Sequence, residues 1–163
     1  HNTMRNYFLN LGCAVLVLSS MSASAEVLGK DGIPAAIIDQ LYKKHPNALD
    51  ISAEQKKHFG QDLYEVFFKE KEGDNKQVEL YRPDGRFYIN GAITETSKTS
   101  NVMPSAGYDS LNAAFKNYDI KEMVLVTNPN GLGEEYDLTV NASGVDWSVS
   151  IDRTGNIYSK QQR

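Results

Sequence analysis

"VELYRPDGRFY" at residues 78–88 and "VSIDRTGNIY" at 149–158 decide how this chain is read. Each is an alternating stretch, an Arg, a turn closed by Gly, and a second stretch with Tyr three residues after the Gly. A glycine in such a tight connection supplies the positive φ that the turn demands, and Asp or Asn neighbours suit it. One hairpin is therefore written twice.

The duplication extends outward from the hairpins. "LYEVFFK" (63–69) alternates, turns at "EGDN" and returns as "KQVELYR" (76–82); "EYDLTVN" (135–141) does the same through Ala-Ser-Gly into "VDWSVSID" (145–152). Ahead of the first set, "GIPAAIIDQLYKKHP" (32–46) places Ile37, Ile38 and Leu41 on one helical face, with Pro34 in the first turn. Pro46 ends that helix near Lys44, because the residue before a proline is driven out of the α region. A second helix over about 106–118 carries Tyr108, Leu111, Phe115 and Tyr118 at helical spacing. Matching Ile37 with Leu111, Tyr64 with Tyr136, Val78 with Val149 and Gly85 with Gly155 gives offsets of 74, 72, 71 and 70. That drift is expected of loops that change length.

These elements predict an α+β fold of two tandem α-β-β-β(-β) repeats, residues 26–95 and 106–163, joined by a polar linker at 96–105. One such unit is marginal as a core. The two are expected to combine into one domain, with the helices on one face of a broad antiparallel sheet.

Residues 1–25 read as export machinery. Met4 and Arg5 open it, "LNLGCAVLVL" (9–18) is an apolar run too short for a bilayer, and "ASA" (23–25) is a small-residue cleavage site. Asn10 stands where a lipoprotein anchored at Cys13 would need Leu, which disfavours that alternative. Cleavage after Ala25 leaves 138 residues with 16 Lys+Arg against 21 Asp+Glu and no cysteine. The expected product is a periplasmic or secreted domain held by packing, without disulfides, a further membrane span or a nucleic-acid footprint.

"IPAAIIDQLYKKHPNA", "YEVFF" and "DGRFYING", with their echoes "YDLTV" and "TGNIYSK", resemble the tandem PepSY-like family of exported bacterial proteins. Those proteins share the fold of the small protein inhibitor of beta-lactamase. The resemblance spans roughly residues 30–162. It implies the fold and export, and it implies neither an enzyme activity nor catalytic residues.

The residues themselves spell no reaction. His45 and His58 lie in no metal-ligand spacing, so no metal or other cofactor is expected. His45 reads as a solvated helix end. Ser143 and Ser148 lack the glycine context of a nucleophile elbow. "NPNGLGEE" (128–135) fits neither an EF-hand nor a phosphate cradle, and reads as a turn.

What remains is surface. Alternation assigns Val78, Leu80, Phe87, Ile89, Leu138, Val140, Trp147, Val149 and Ile151 inward. It leaves Glu65, Phe67, Glu79, Tyr81, Arg86 and Tyr88, with Tyr158 of the second copy, on a face the helices do not cover. Aromatic and Arg residues framed by charge suit protein recognition. The expected function is non-catalytic binding of another exported protein, with inhibition of a peptidase or hydrolase as its sharper form. The alternative is a small-molecule or calcium-binding envelope protein using Glu134, Glu135, Asp137 and Asp146.

Overall fold

The computed structural model describes residues 26–163; the leader reading and Cys13 lie outside them. The first repeat is β1 (Val27–Gly29), a single 3-10 turn (Lys30–Gly32), α1 (Ala35–Lys44), β2 (Leu49–His58), β3 (Gln61–Lys69), β4 (Gln77–Tyr81) and β5 (Phe87–Asn90). The second is β6 (Ala92–Thr94), α2 (Ser105–Ala114), β7 (Tyr118–Thr127), β8 (Glu134–Ala142), β9 (Val145–Ile151) and β10 (Ile157–Gln162). Each repeat forms its own antiparallel five-stranded sheet, in the orders β1-β2-β3-β4-β5 and β10-β9-β8-β7-β6.

The α+β class and the tandem organisation stand, but the single broad sheet does not. Ile37 and Leu41 of α1 pack on Ala53, Val66, Phe68 and Tyr81, covering one face of the first sheet. Tyr108 and Leu111 of α2 likewise cover Leu138, Val140, Val149 and Ile151 of the second. The faces left over meet each other. Leu63, Phe67, Val78, Leu80 and Tyr88 of the first sheet pack against Val124 and Val126 of the second. The layers run helix, sheet, sheet, helix.

Stacking explains why the open aromatic face is wrong. Glu65, Phe67, Glu79, Tyr81 and Tyr88 are all buried. Phe67 and Tyr88 lie between the sheets, whereas Tyr81 lies under α1. Val78 and Leu80, assigned to the helix side, face the other sheet instead. Both faces of β4 are buried, so period-two alternation carried no sign telling which face the helix takes. Phe87, expected inside, is 41% exposed.

The repeat register is also simpler than the sequence suggested. Pro34 and Pro104 each immediately precede a helix, and Leu41 and Leu111 each accept the amide that ends it, from His45 and Phe115. Both pairs are 70 apart, as are Gly85 and Gly155. Aligning Ile37 with Leu111 had slipped the second helix by one turn, so α2 stops at Ala114 and leaves Phe115 and Tyr118 outside it. β3 and β8 depart from 70, because the hairpin ahead of β8 is longer and the next one shorter, and the first strands, β1 and β6, stand 66 apart in register. The chain crosses between sheets at Gly91, between β5 and β6, ahead of the expected linker. A Cβ there would stand 2.8 Å from Val78 Cγ1 and 3.1 Å from Val124 Cγ1.

The duplicated turn glycines dock the helices. Gly85 (φ 99°) and Gly155 (φ 91°) abut Ala36 and Ala106, and an added Cβ would lie 2.8 Å and 2.6 Å from those Cβ atoms. Gly85→Ala or Gly155→Ala therefore combines positive-φ strain with overpacking, and each should cost about 2–4 kcal/mol in urea unfolding. Gly73→Ala has the same backbone sign (φ 83°) but meets nothing within 4 Å. It should cost only the strain, about 1–2 kcal/mol; equal losses at Gly73 and Gly155 would remove the docking role.

Phe67→Ala tests the stacking itself. A solvent-facing Phe67 would tolerate the change, whereas the inter-sheet position predicts a loss of about 3–5 kcal/mol. Equilibrium urea unfolding distinguishes the two.

Candidate functional site

The space between the sheets is apolar on one side and charged on the other. β2 turns Glu54, Lys56 and His58 toward the second sheet, which answers with Glu135 and Asp137 of β8, Ser148 and Ser150 of β9, and Arg163. Alternation places Glu65 of β3 on this same inner face, beside Leu63 and Phe67.

His58 is the centre. It is fully buried, with Nε2 2.6 Å from Asp137 Oδ2 and Nδ1 2.9 Å from Glu135 Oε1. Burial opposes its charge, but the Asp137 charge and the hydrogen bonds to Asp137 and Glu135, with Glu65 close by, outweigh that cost and push its pKa up to about 12. The imidazolium donates through both nitrogens. Burial likewise opposes charge on Asp137, yet His58, Glu65 and Lys56 hold its carboxyl well below the usual range. Glu65 moves the other way: burial and then the Asp137 charge push its carboxyl well above the ordinary value.

The surrounding shell fixes these groups. Ser150 Oγ donates to Asp137 Oδ1 at 2.6 Å. Tyr158 Oη donates to Glu135 Oε1 at 2.8 Å, and the Phe59 amide reaches the same oxygen at 3.1 Å. Despite its burial, Glu135 is held below the usual carboxylate range by the bonds from His58 and Tyr158 and from the Phe59 amide. Burial and the nearby Asp137 charge raise Tyr158, so its hydroxyl stays a donor. At one end, Arg163 spans both oxygens of Glu54, at 2.8 and 3.3 Å. Among the described residues, His58, Glu65 and Asp137 are also a group of metal-ligand type, their ligand atoms all within 4.8 Å of one another.

Beside this network opens a cleft of about 510 Å³, lined by Gln55, Lys56, Tyr64, Ser150, Tyr158 and Gln161 among others. Lys56, Ser150 and Tyr158 belong to both the cleft and the network, so the cleft abuts the charged cluster, while His58, Glu65 and Asp137 lie behind its wall.

The expected site residues do not assemble into one surface. Glu65 and Tyr158 join the His58 network, and Phe67 and Tyr88 are inter-sheet core. Glu79 and Tyr81 sit at the C-terminal end of α1, where Glu79 accepts Tyr81 Oη (2.6 Å) and faces His45 Nε2 (2.8 Å) and Lys44 Nζ (3.3 Å). His45 is thus not a solvated helix end: its other nitrogen lies 2.8 Å from Glu70. Arg86 stays in its exposed turn, bound to Asp84 at 2.9 Å. The calcium set disperses as well. Asp137 and Glu135 bind His58, Asp146 binds Asn141 and Lys121, and Glu134 meets the Tyr136 hydroxyl. "NPNGLGEE" is a hairpin connection, closed by the Asn128 amide on the Gly133 carbonyl at 3.0 Å.

Sequence reasoning missed His58. One signal was present: Glu65 and Asp137 occupy the same place in "YEV" and "YDL". Two acids at one inner-face position of two stacked repeats need a cation between them.

No protein-family model matches the chain, and no curated protein matches it in sequence. Among solved structures, a candidate periplasmic protein of Bacteroides eggerthii DSM 20697 superimposes with a TM-score of 0.45 at 17% identity, covering 80% of this chain and 88% of that one. That likeness is too distant to bear on function.

The network predicts stability that falls on both sides of mild acidity. Asp137 and Glu135 are depressed, so their contribution is present above the ordinary carboxylate values of 3.8 and 4.5 and is lost as pH falls. His58 is raised, so its contribution is full below 6.5 and is lost as pH climbs toward about 12. Glu65, also raised, has the same sign from 4.5 upward. Urea unfolding of chelator-treated protein should peak between about pH 4.5 and 6.5 and decline by up to about 1.4 kcal/mol per pH unit for each retained proton. Stability that rises from neutral to alkaline pH would contradict the network.

Proposed function

We propose that this protein is an exported, non-catalytic binding protein whose ligand, an extended polar segment of another exported protein, sits in the cleft between the two sheets. The cleft carries the reading. It converges hydroxyls, amides and charges of both signs from β2, β3, β9 and β10 on one concave surface. Its rims suit a strand-like guest. β1 pairs with β2 only at Ser52–Glu54, and β10 pairs with β9 alone among the described residues. Backbone groups along both rims can then bond an added chain.

The state of His58 supports a role without chemistry. The side chain best suited to proton transfer is sealed between two carboxylates, with both nitrogens engaged. Export is supported by the leader-like residues 1–25 and by the tandem PepSY-like resemblance. No helix among the described residues is long and apolar enough to cross a membrane. The inhibitor reading leaned in part on an open aromatic face, of which Phe67 and Tyr88 lie between the sheets and Tyr81 under α1.

The test is affinity capture from envelope and secreted fractions with tagged protein, beside Ser159→Trp, which fills the cleft, and Phe87→Ala, which removes an exposed aromatic outside it. A partner retained by the wild type and by Phe87→Ala, but depleted at least about tenfold by Ser159→Trp, supports the cleft. Equal retention by Ser159→Trp rejects it.

A further inference from the structure

Buried acids with a histidine beside them form two clusters, and only one of the two is complete. At the α1 end, both Glu79 oxygens have partners. Between the sheets, Glu65 Oε2 is buried and accepts no hydrogen bond. It lies 3.6 Å from His58 Nε2, too far for one. A buried carboxylate oxygen without a partner, aimed at a histidine that already faces a second carboxylate, is an incomplete set of ligands.

We propose that His58 Nε2, Glu65 Oε2 and Asp137 Oδ2 form a binding site for a divalent cation of the zinc type, which ties the two sheets together.

The geometry is close to what such an ion needs. Ligands at about 2.0–2.1 Å from a tetrahedral centre stand about 3.3 Å apart. Glu65 Oε2 is already near that separation from Nε2, and Asp137 Oδ2, at 2.6 Å, has to withdraw by only about 0.7 Å. Binding replaces two protons: the Nε2 hydrogen of His58 and the proton retained by the raised Glu65 carboxyl both leave to solvent, and the freed lone pairs take the metal. One neutral imidazole and two carboxylates then balance the charge of the ion. A mixed nitrogen and oxygen set of three suits zinc better than calcium, which takes six to eight oxygens.

The outer contacts are those a metal site uses. A ligating histidine commonly donates its other nitrogen to a carboxylate, and His58 Nδ1 donates to Glu135 at 2.9 Å. The non-ligating oxygen of Asp137 is held by Ser150 at 2.6 Å. Glu135 is in turn fixed by Tyr158 and the Phe59 amide. The cleft reaches this shell through Ser150 and Tyr158, which provides a route of entry. The opposing charge is Lys56, which feels Asp137, Glu65 and Glu54 and lies 3.6 Å from Glu54. It weakens cation binding without blocking it, since Glu54 also holds it. This site is separate from the proposed cleft ligand, and its readout needs no partner.

The experiment loads the purified, chelator-stripped protein with zinc chloride, removes excess by gel filtration, and reads metal content and thermal midpoint. One zinc per chain and a raised Tm are expected, since a ligand of the native state alone stabilises it. Glu65→Gln keeps the side-chain shape and should weaken zinc at least about tenfold, while Lys56→Gln should strengthen it. Calcium or magnesium at the same concentration should leave Tm unchanged. Failure of the natively folded wild type to retain zinc overturns the proposal. So does equal retention by Glu65→Gln, which would place the ion elsewhere, or a Tm rise with calcium and none with zinc.

Discussion

The contact between the two inner sheet faces is the constraint on which the rest of this molecule depends. Each repeat covers one side of its sheet with a helix and leaves the other side with no cover of its own. Stacking the sheets solves both halves of that problem at once. The apolar half, centred on Phe67, Leu80, Val124 and Val126, supplies the burial. The polar half supplies register, because His58 has to find Asp137 and Glu135, and Arg163 has to find Glu54. Mispairing by one residue would leave buried charges unpaired, a cost of several kcal/mol.

The same constraint shapes the turns and crossings. Gly91 lets the chain pass from one sheet to the other where Val78 and Val124 leave no room for a side chain. Gly85 and Gly155 bring the second hairpin of each repeat against Ala36 and Ala106, so that each helix is seated by the glycine of its own repeat. Small residues on both sides of these contacts keep the four layers close. Ser110 adds a hydrogen bond from α2 to the Gly155 carbonyl at 2.6 Å.

The charged network and the cleft lie where the repeats differ. On the helix-facing sides their apolar positions correspond, but on the inner faces Val124 and Val126 stand where Glu54 and Lys56 do, and His58 corresponds to Asn128, beyond which the second copy carries a longer hairpin. The asymmetry gives the inner space one charged flank with a cleft beside it. Lys56, Ser150 and Tyr158 serve both features, so an occupant of the cleft would touch the groups that hold the network in place.

The duplication, the two helices, the turn glycines and the α+β class were legible in the sequence, because periodicity and turn chemistry are local properties. Even there, the one-turn slip in matching Ile37 to Leu111 shows how weakly a short amphipathic helix marks its own phase, whereas Pro34 and Pro104 mark it well. The site was only half legible. Glu65 and Asp137 could be seen as equivalent acids, but nothing near His58 in the chain shows that it will lie between residues 77 and 79 positions away. Tertiary structure decided which side of each strand is interior. When both faces of a sheet are buried, alternation specifies two faces without ranking them, and only the second layer turns Phe67 and Tyr88 from a surface into a core.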